Sequence, residues 1–298
     1  MSKKIFIVGR NRSGTKWLSN ILANHNEIAA VQREGAGGIL ESNLLRNYPK
    51  HFDLNIPEER TAFEILFKES NFHRCSNIEG KILETCNYKS FYDFFESYMN
   101  ELALAQKARF WLQKASSLEL PVLIEKFPDA KFIIIQRKNV FDNVLSTVLL
   151  NHNKMGLLIV IKSLLDYWRH AKIEKNYLKH ENVYKVLYEK LKMNPNSTVE
   201  NICNFLDISF SEGLTKVSYK PNTSYKKKNK DEYYTKCNKF RINSLSLIVS
   251  LLPLILINGA VRFYNRVKVK SSLFQPLTFE LYRNKNQKKK RNETSHTR

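Results

Sequence analysis

Short unbroken apolar runs alternate along the chain with longer stretches in which apolar residues recur every three or four positions. Ile5-Phe6-Ile7-Val8 and Phe132-Ile133-Ile134-Ile135 carry no polar interruption, the pattern of strands covered on both faces. Trp17, Leu18, Ile21 and Leu22 follow helical spacing instead, as do Phe91, Phe94, Phe95 and Tyr98, and later Val199, Ile202, Cys203 and Leu206. The pattern predicts strands over 5–8, 28–31, 109–113, 131–136 and 183–187. It predicts helices after the first strand to about residue 23, over 141–152 and over 157–179, with a helical, loop-rich stretch up to residue 100. Strands and helices in that alternation predict an α/β fold with a central parallel β-sheet flanked by helices. Ligands of such sheets sit beyond the carboxyl ends of the strands.

The first strand runs directly into Gly9-Arg10-Asn11-Arg12-Ser13-Gly14-Thr15-Lys16-Trp17-Leu18. An apolar strand, a turn with glycine at both ends and an amphipathic helix put backbone N–H groups and a helix N-terminus around an anion. A nucleoside-triphosphatase loop needs lysine and then a hydroxyl residue after its second glycine, to reach the outer phosphates and hold magnesium. Here Thr15 precedes Lys16, which argues against ATP or GTP hydrolysis. A second basic segment follows the strand over 131–136: Arg137-Lys138-Asn139, then Ser146 in the helix that comes next. A strand-end arginine and a helix serine form a two-sided phosphate clamp.

Arg12-Ser13-Gly14-Thr15 followed by Trp17-Leu18 resembles the 5′-phosphosulfate loop of sulfotransferases that use 3′-phosphoadenosine 5′-phosphosulfate. Lys16 departs from the second threonine common in that family. The resemblance implies that Arg12, Ser13, Gly14, Thr15, Lys16 and Trp17 bind the donor, with Arg12 on the 5′-phosphate and bridging oxygen. Arg137 to Ser146 resembles the family's 3′-phosphate motif. The family's spacing of eight residues pairs Ser146 with Lys138, whereas Arg137 fits the strand end, so both remain candidates. Lys114, in Arg109-Phe110-Trp111-Leu112-Gln113-Lys114, stands where relatives carry a lysine near the sulfuryl group. Tyr188, in Tyr188-Glu189-Lys190-Leu191, stands where relatives place a tyrosine near the nucleotide.

The resemblance also implies a glutamate base after the second strand. Glu34 is the positional match, with Glu41 and His25 as alternatives. Glu34, Arg12 and Lys114 are therefore the expected catalytic residues. The implied fold is the three-layer, P-loop NTPase-like sulfotransferase fold, with the nucleotide as co-substrate and no metal.

After about residue 236 the composition changes. Residues 242–261 are nearly uncharged and approach the roughly 20 apolar residues of a spanning helix, but Pro253 lies at their centre. Basic residues flank both ends, so charge assigns no crossing direction, and an interfacial or re-entrant attachment fits better than a clean span. From Arg262 onward eleven Lys and Arg stand against two Glu, ending in Lys288-Lys289-Lys290-Arg291. The expected organisation is a sulfotransferase-like domain over 1–236 and an apolar, basic extension over 237–298.

The net charge of +21 invites a nucleic-acid reading, but it is thinly spread and no nucleic-acid-binding motif accompanies it, so nucleic acid is not an expected partner. Cys75, Cys86, Cys203 and Cys237 show neither disulfide nor metal spacing, and no apolar signal core opens the chain. A cytoplasmic enzyme attached to the inner-membrane surface is expected. Its acceptor would be a hydroxyl or amine, with a carbohydrate or glycolipid favoured by the tail. Two other readings share parts of this pattern: a P-loop kinase of a small metabolite, and a non-catalytic membrane-associated nucleotide-binding protein.

Overall fold

The computed structural model describes residues 2–33, 38–42, 44–79, 82–151, 156–216 and 233–269. Strand β1 (Lys3–Val8) leads into helix α1 (Thr15–Leu22) and the short strand β2 (Ile28–Ala29). A two-residue hairpin follows, β3 (Gln32–Arg33) with β4 (Gly38–Ile39). Next come α2 (Leu44–Asn47), α3 (Pro57–Lys68), α4 (Asn71–Ser76), α5 (Ile82–Thr85) and α6 (Phe91–Ala105). The chain then alternates β5 (Phe110–Ala115), α7 (Leu120–Lys126), β6 (Lys131–Gln136), α8 (Val140–Asn151), α9 (Leu157–Tyr177), β7 (Val183–Leu187), α10 (Tyr188–Met193) and α11 (Pro195–Leu206). Helices α12 (Lys236–Leu251) and α13 (Leu254–Val269) come last, separated by Leu252 and Pro253.

The five principal strands form one parallel sheet in the order β2-β5-β1-β6-β7. The first strand lies at the centre because its run of apolar residues can be buried on both faces. Phe6 and Val8 enter one core with Trp111, Phe132 and Ile134, and Ile5 and Ile7 enter the other with Leu112, Ile133 and Ile135. On the first face, α3 and α6 supply aromatic residues. Phe6 stacks on Phe132 with ring centroids 5.4 Å apart and meets Trp111 edge-on at 5.4 Å. The second face is covered by Leu18, Ile21 and Leu22 of α1 and by Val199, Ile202 and Leu206 of α11.

Strand β5 runs two residues beyond the stretch its apolar residues predict. Lys114 and Ala115 pair with Ile7 and Val8, so backbone pairing with β1 carries the strand into polar sequence. Val8 pairs with both Ala115 and Ile134, so β1 and β5 end level and β6 runs two residues further.

The chain divides into a compact unit over Met1–Asn258 and a second over Gly259–Arg298. Within the first unit α8 packs on α9, and α12 packs against both. Trp168 donates its indole N–H to Ser246 Oγ at 3.0 Å, and Phe141 meets Tyr234 edge-on at 5.0 Å. The tail 270–298 lies outside the described residues.

Candidate active site

The loop between β1 and α1 owes its path to two glycines. A Cβ on Gly9 would stand 2.7 Å from Ser13 Oγ and 2.8 Å from the Ile135 carbonyl oxygen, contacts no side chain can make. Gly14 has φ +102°, and a Cβ there would stand 2.5 Å from Cδ2 of Tyr188. Arg12 is also left-handed at φ +72°. Two left-handed residues so close together curl the backbone into a concave nest whose N–H groups can face an anion. Ser13 closes the turn by donating from Oγ to the Arg10 carbonyl at 2.7 Å. Helix α1 begins at Thr15 with no side-chain cap, which leaves its first N–H groups for a ligand.

The second basic segment meets this loop directly. Arg12 Nε donates to Ser146 Oγ at 2.8 Å, across 134 residues of sequence. Arg137 leaves the end of β6, pairs with Asp142 at 3.1 Å and lies over the Tyr188 ring at 4.9 Å. Tyr188 in turn meets Trp17 edge-on at 6.1 Å. The backbone around Arg137 is fixed from several directions. Tyr167 donates to the Arg137 carbonyl at 3.0 Å, and Glu189 accepts from the N–H groups of Lys138 and Asn139 at 3.3 and 3.1 Å. The Lys138 side chain is exposed. Arg12, Ser13, Gly14, Thr15, Trp17, Arg137, Ser146 and Tyr188 thus gather at the carboxyl ends of β1, β6 and β7.

Lys114 approaches from β5. Side chains alternate along that strand, so Lys114 shares the face of Phe110 and Leu112, which is the α1 face. Its ammonium is paired with Glu41 Oε1, just beyond β4. Ile39 N–H donates to Asn20 Oδ1 of α1 at 3.2 Å, holding this hairpin beside the first helix. Glu34 lies outside the described residues. His25 follows the last turn of α1, about 12 Å along the axis from the loop, because eight residues rise 1.5 Å each. There its Nε2 is within 2.8 Å of the Ser209 carbonyl, and its Nδ1 accepts from Glu27 N–H at 3.1 Å. That removes His25 from the site.

Behind the loop lies a polar group that sequence reasoning missed. Arg10 is 6% exposed, donates from Nη2 to the Ser163 carbonyl at 2.7 Å and lies over the Tyr167 ring at 5.6 Å. Burial lowers its pKa to about 10, against the attraction of Asp166. Burial, reinforced by Arg10, Arg169 and Arg46, pushes the His170 imidazole down to about 3, so it is neutral. Glu174 is raised by burial; it accepts from Gln136 Nε2 at 2.6 Å and from the Ser117 hydroxyl. Arg10, Gln136, Tyr167, His170 and Glu174 line a cavity of about 70 Å³ that also touches Ser13, Arg137, Lys138 and Asn143. Ser163, Tyr167, His170 and Glu174 recur at spacings of four, three and four along α9, a polar stripe that helical periodicity could have revealed. A larger depression of about 680 Å³, lined by residues such as Arg60, Glu64 and Tyr88, contains none of the loop residues.

Residues 4–212 match the model of the sulfotransferase family. The chain belongs to the sulfotransferase family. No sequence among curated proteins matches it. Among solved structures it is similar to the sulfotransferase domain of the Synechococcus PCC 7002 olefin synthase, at 17% identity and a TM-score of 0.50 over 84% of this chain and 94% of that one. It is similar to the sulfotransferase domain of the curacin biosynthetic pathway at 19% identity and 0.49, over 85% and 99%. Mouse sulfotransferase SULT7A1 complexed with PAP gives 13% and 0.46, over 82% of each chain. The α/β sulfotransferase fold expected from the two motifs is the fold observed. In this sulfotransferase Arg137 is held against Asp142 and Tyr188, while Lys138 is exposed at the rim of the same cavity.

Proposed function

We propose that this sulfotransferase takes its sulfuryl group from 3′-phosphoadenosine 5′-phosphosulfate and passes it to a hydroxyl or amine. The observation that carries the reading is the 2.8 Å bond from Arg12 Nε to Ser146 Oγ. It sets the two anion-binding segments side by side, the arrangement a nucleotide with phosphate on both sides of its ribose would bridge. ADP would leave the second segment without a ligand. The glycine cradle fits such a donor, since a Cβ at Gly9 or Gly14 would close the loop.

When bound, the donor supplies a sulfuryl group whose bond to the bridging phosphate oxygen breaks as its bond to the acceptor forms. The loop N–H groups of Ser13 to Lys16, together with Arg12, would hold the 5′-phosphate and stabilise the charge that develops on it. Ser146, with Arg137 or Lys138, would hold the 3′-phosphate, and Trp17 and Tyr188 would flank the base. Lys114 would face the transferring group, where a fixed cation stabilises the equatorial oxygens as in phosphoryl transfer. Glu34 would take the acceptor's proton, and Glu41 would keep the Lys114 ammonium aligned. The transferase domain is proposed to span 1–236, and a carbohydrate or glycolipid hydroxyl is the acceptor class to examine first.

Isothermal titration with 3′-phosphoadenosine 5′-phosphate tests the reading. Binding should exceed that of ATP–Mg and weaken about 100-fold or more when Arg137→Ala and Lys138→Ala are combined, since each charge-assisted hydrogen bond is worth roughly 1.5–3 kcal/mol. No binding, or binding indifferent to both substitutions, would sink it.

A further inference from the structure

We propose that the outer face of α12 and the start of α13 is a docking surface for an anionic lipid bilayer. The proposal stands whether or not the donor reading holds. Helix α12 is committed on one side only. Ile242, Ser246 and Val249 are buried, and the helix packs on α8 and α9 through that side. The opposite side carries Phe240, Leu247, Ile248 and Leu251, and Ile255 and Leu256 follow after Pro253; all six are 57–77% exposed. Phe240, Leu247 and Leu251 fall on one stripe at i, i+7 and i+11, with Ile248 beside it.

Charge identifies the occupant. Lys236, Lys239 and Arg241 are exposed, and Lys239 and Arg241 lie one residue before and after Phe240, about 100° to either side of the stripe. No Asp or Glu occurs from residue 236 to residue 279. An apolar stripe edged by cations, whose alkyl stems can lie along the headgroups, matches an anionic interface. A second copy of the chain would instead bring two cationic surfaces together. Crossing the bilayer does not fit either. Among the described residues no single helix is long and apolar enough to span; Lys236–Leu251 and Leu254–Asn265 pass that test only as a bent pair, not as a straight crossing. The inner side of α12 is moreover occupied by protein, so the helix lies on the membrane surface. It also lies behind α8, the helix that presents Ser146 to Arg12, which would keep the candidate donor site close to lipid-borne acceptors.

Vesicle flotation of the full-length protein tests this directly. Phosphatidylcholine vesicles containing about a third phosphatidylglycerol should bind at least about tenfold more protein than phosphatidylcholine alone, given roughly 1 kcal/mol per basic residue near the surface. Leu247→Gln, Ile248→Gln and Leu251→Gln together should lower binding about tenfold or more through lost apolar insertion. Lys236→Gln, Lys239→Gln and Arg241→Gln together should lower it by a similar factor and leave less for about 1 M NaCl to remove. All six positions are exposed, and thermal melts of both variants check that the fold is retained. Equal binding to the two vesicle types overturns the proposal. So does binding that either triple variant leaves unchanged, which would assign attachment to the basic tail alone. A concentration-dependent dimer abolished by the leucine–isoleucine variant would give the face to a second copy and likewise overturn it.

Discussion

The loop end of the sheet and the helical cap over residues 44–105 solve opposite problems. At the loop end, specific polar atoms meet at fixed distances: Arg12 with Ser146, Arg137 with Asp142, and Glu189 with two backbone N–H groups. In the cap, rings meet rings. Phe63 packs edge-on to Phe91 and Phe94 at 5.3 and 5.0 Å, and Phe67 packs edge-on to Tyr98 at 5.0 Å. The cap's buried polar group is small: the Tyr98 hydroxyl lies 2.8 Å from His73 Nδ1 and 2.7 Å from Ser76 Oγ. Apolar packing is satisfied by volume and tolerates exchange of shape for shape, whereas a buried polar contact is lost with either partner. The cap should therefore govern stability, and the loop end should govern chemistry.

The largest expected effect sits in the cap. Phe67→Ala removes a fully buried ring from the centre of the aromatic cluster and should cost about 3–5 kcal/mol, read as a lower urea midpoint. Affinity of the folded fraction for 3′-phosphoadenosine 5′-phosphate should be unchanged. A parallel fall in affinity would break the division between the two regions.

Arg12→Ala makes the converse statement. It should lower kcat/KM about 10²- to 10³-fold, the usual cost of one fixed donor at a developing charge. Its melting temperature should stay within a few degrees of the parent's, because the Arg12 side chain is partly exposed. A large loss of stability with catalysis intact would reverse the comparison.

The smallest effect is a pH dependence behind the loop. His170 titrates near the ordinary value of 6.5 when unfolded and at about 3 when folded. As pH falls below about 6.5 the unfolded chain takes up a proton that the folded protein refuses, so stability is lost toward pH 3. Glu174 acts in the opposite sense, because its pKa is raised: its contribution is full below the ordinary carboxylate value and is lost as pH rises through the folded one. Between about pH 7.5 and 5 the parent's melting temperature should fall relative to that of His170→Asn, which retains the same Glu174 contribution. Identical slopes would show that the imidazole is not held neutral.

The two regions were unequally legible in the chain. Residues such as Ile5 to Val8 and Phe132 to Ile135 announced buried parallel strands, because unbroken apolar runs of that length suit little else. The loop was legible for a related reason: glycine is the residue that fits where a Cβ would strike Ser13 or Tyr188, so its positions mark the backbone's path. The cap's helical spacing was visible along α6, but the partners of its rings were not.

Sequence by itself therefore determined the alternation of strands and helices, the anion-holding loop, the second basic segment and the apolar, basic character of the C-terminal part. These are properties of consecutive residues, written in periodicity and in the special geometry of glycine. Tertiary structure decided that Arg12 meets Ser146, that Arg137 pairs with Asp142 while Lys138 stays exposed, that Lys114 pairs with Glu41, and that Arg10, His170 and Glu174 share a buried cluster. It also decided which side of α12 is spent on α8 and α9. Each of those contacts joins residues from different elements. It is fixed by the order and register of the strands, which are set by the packing of the whole sheet rather than by any local stretch of chain.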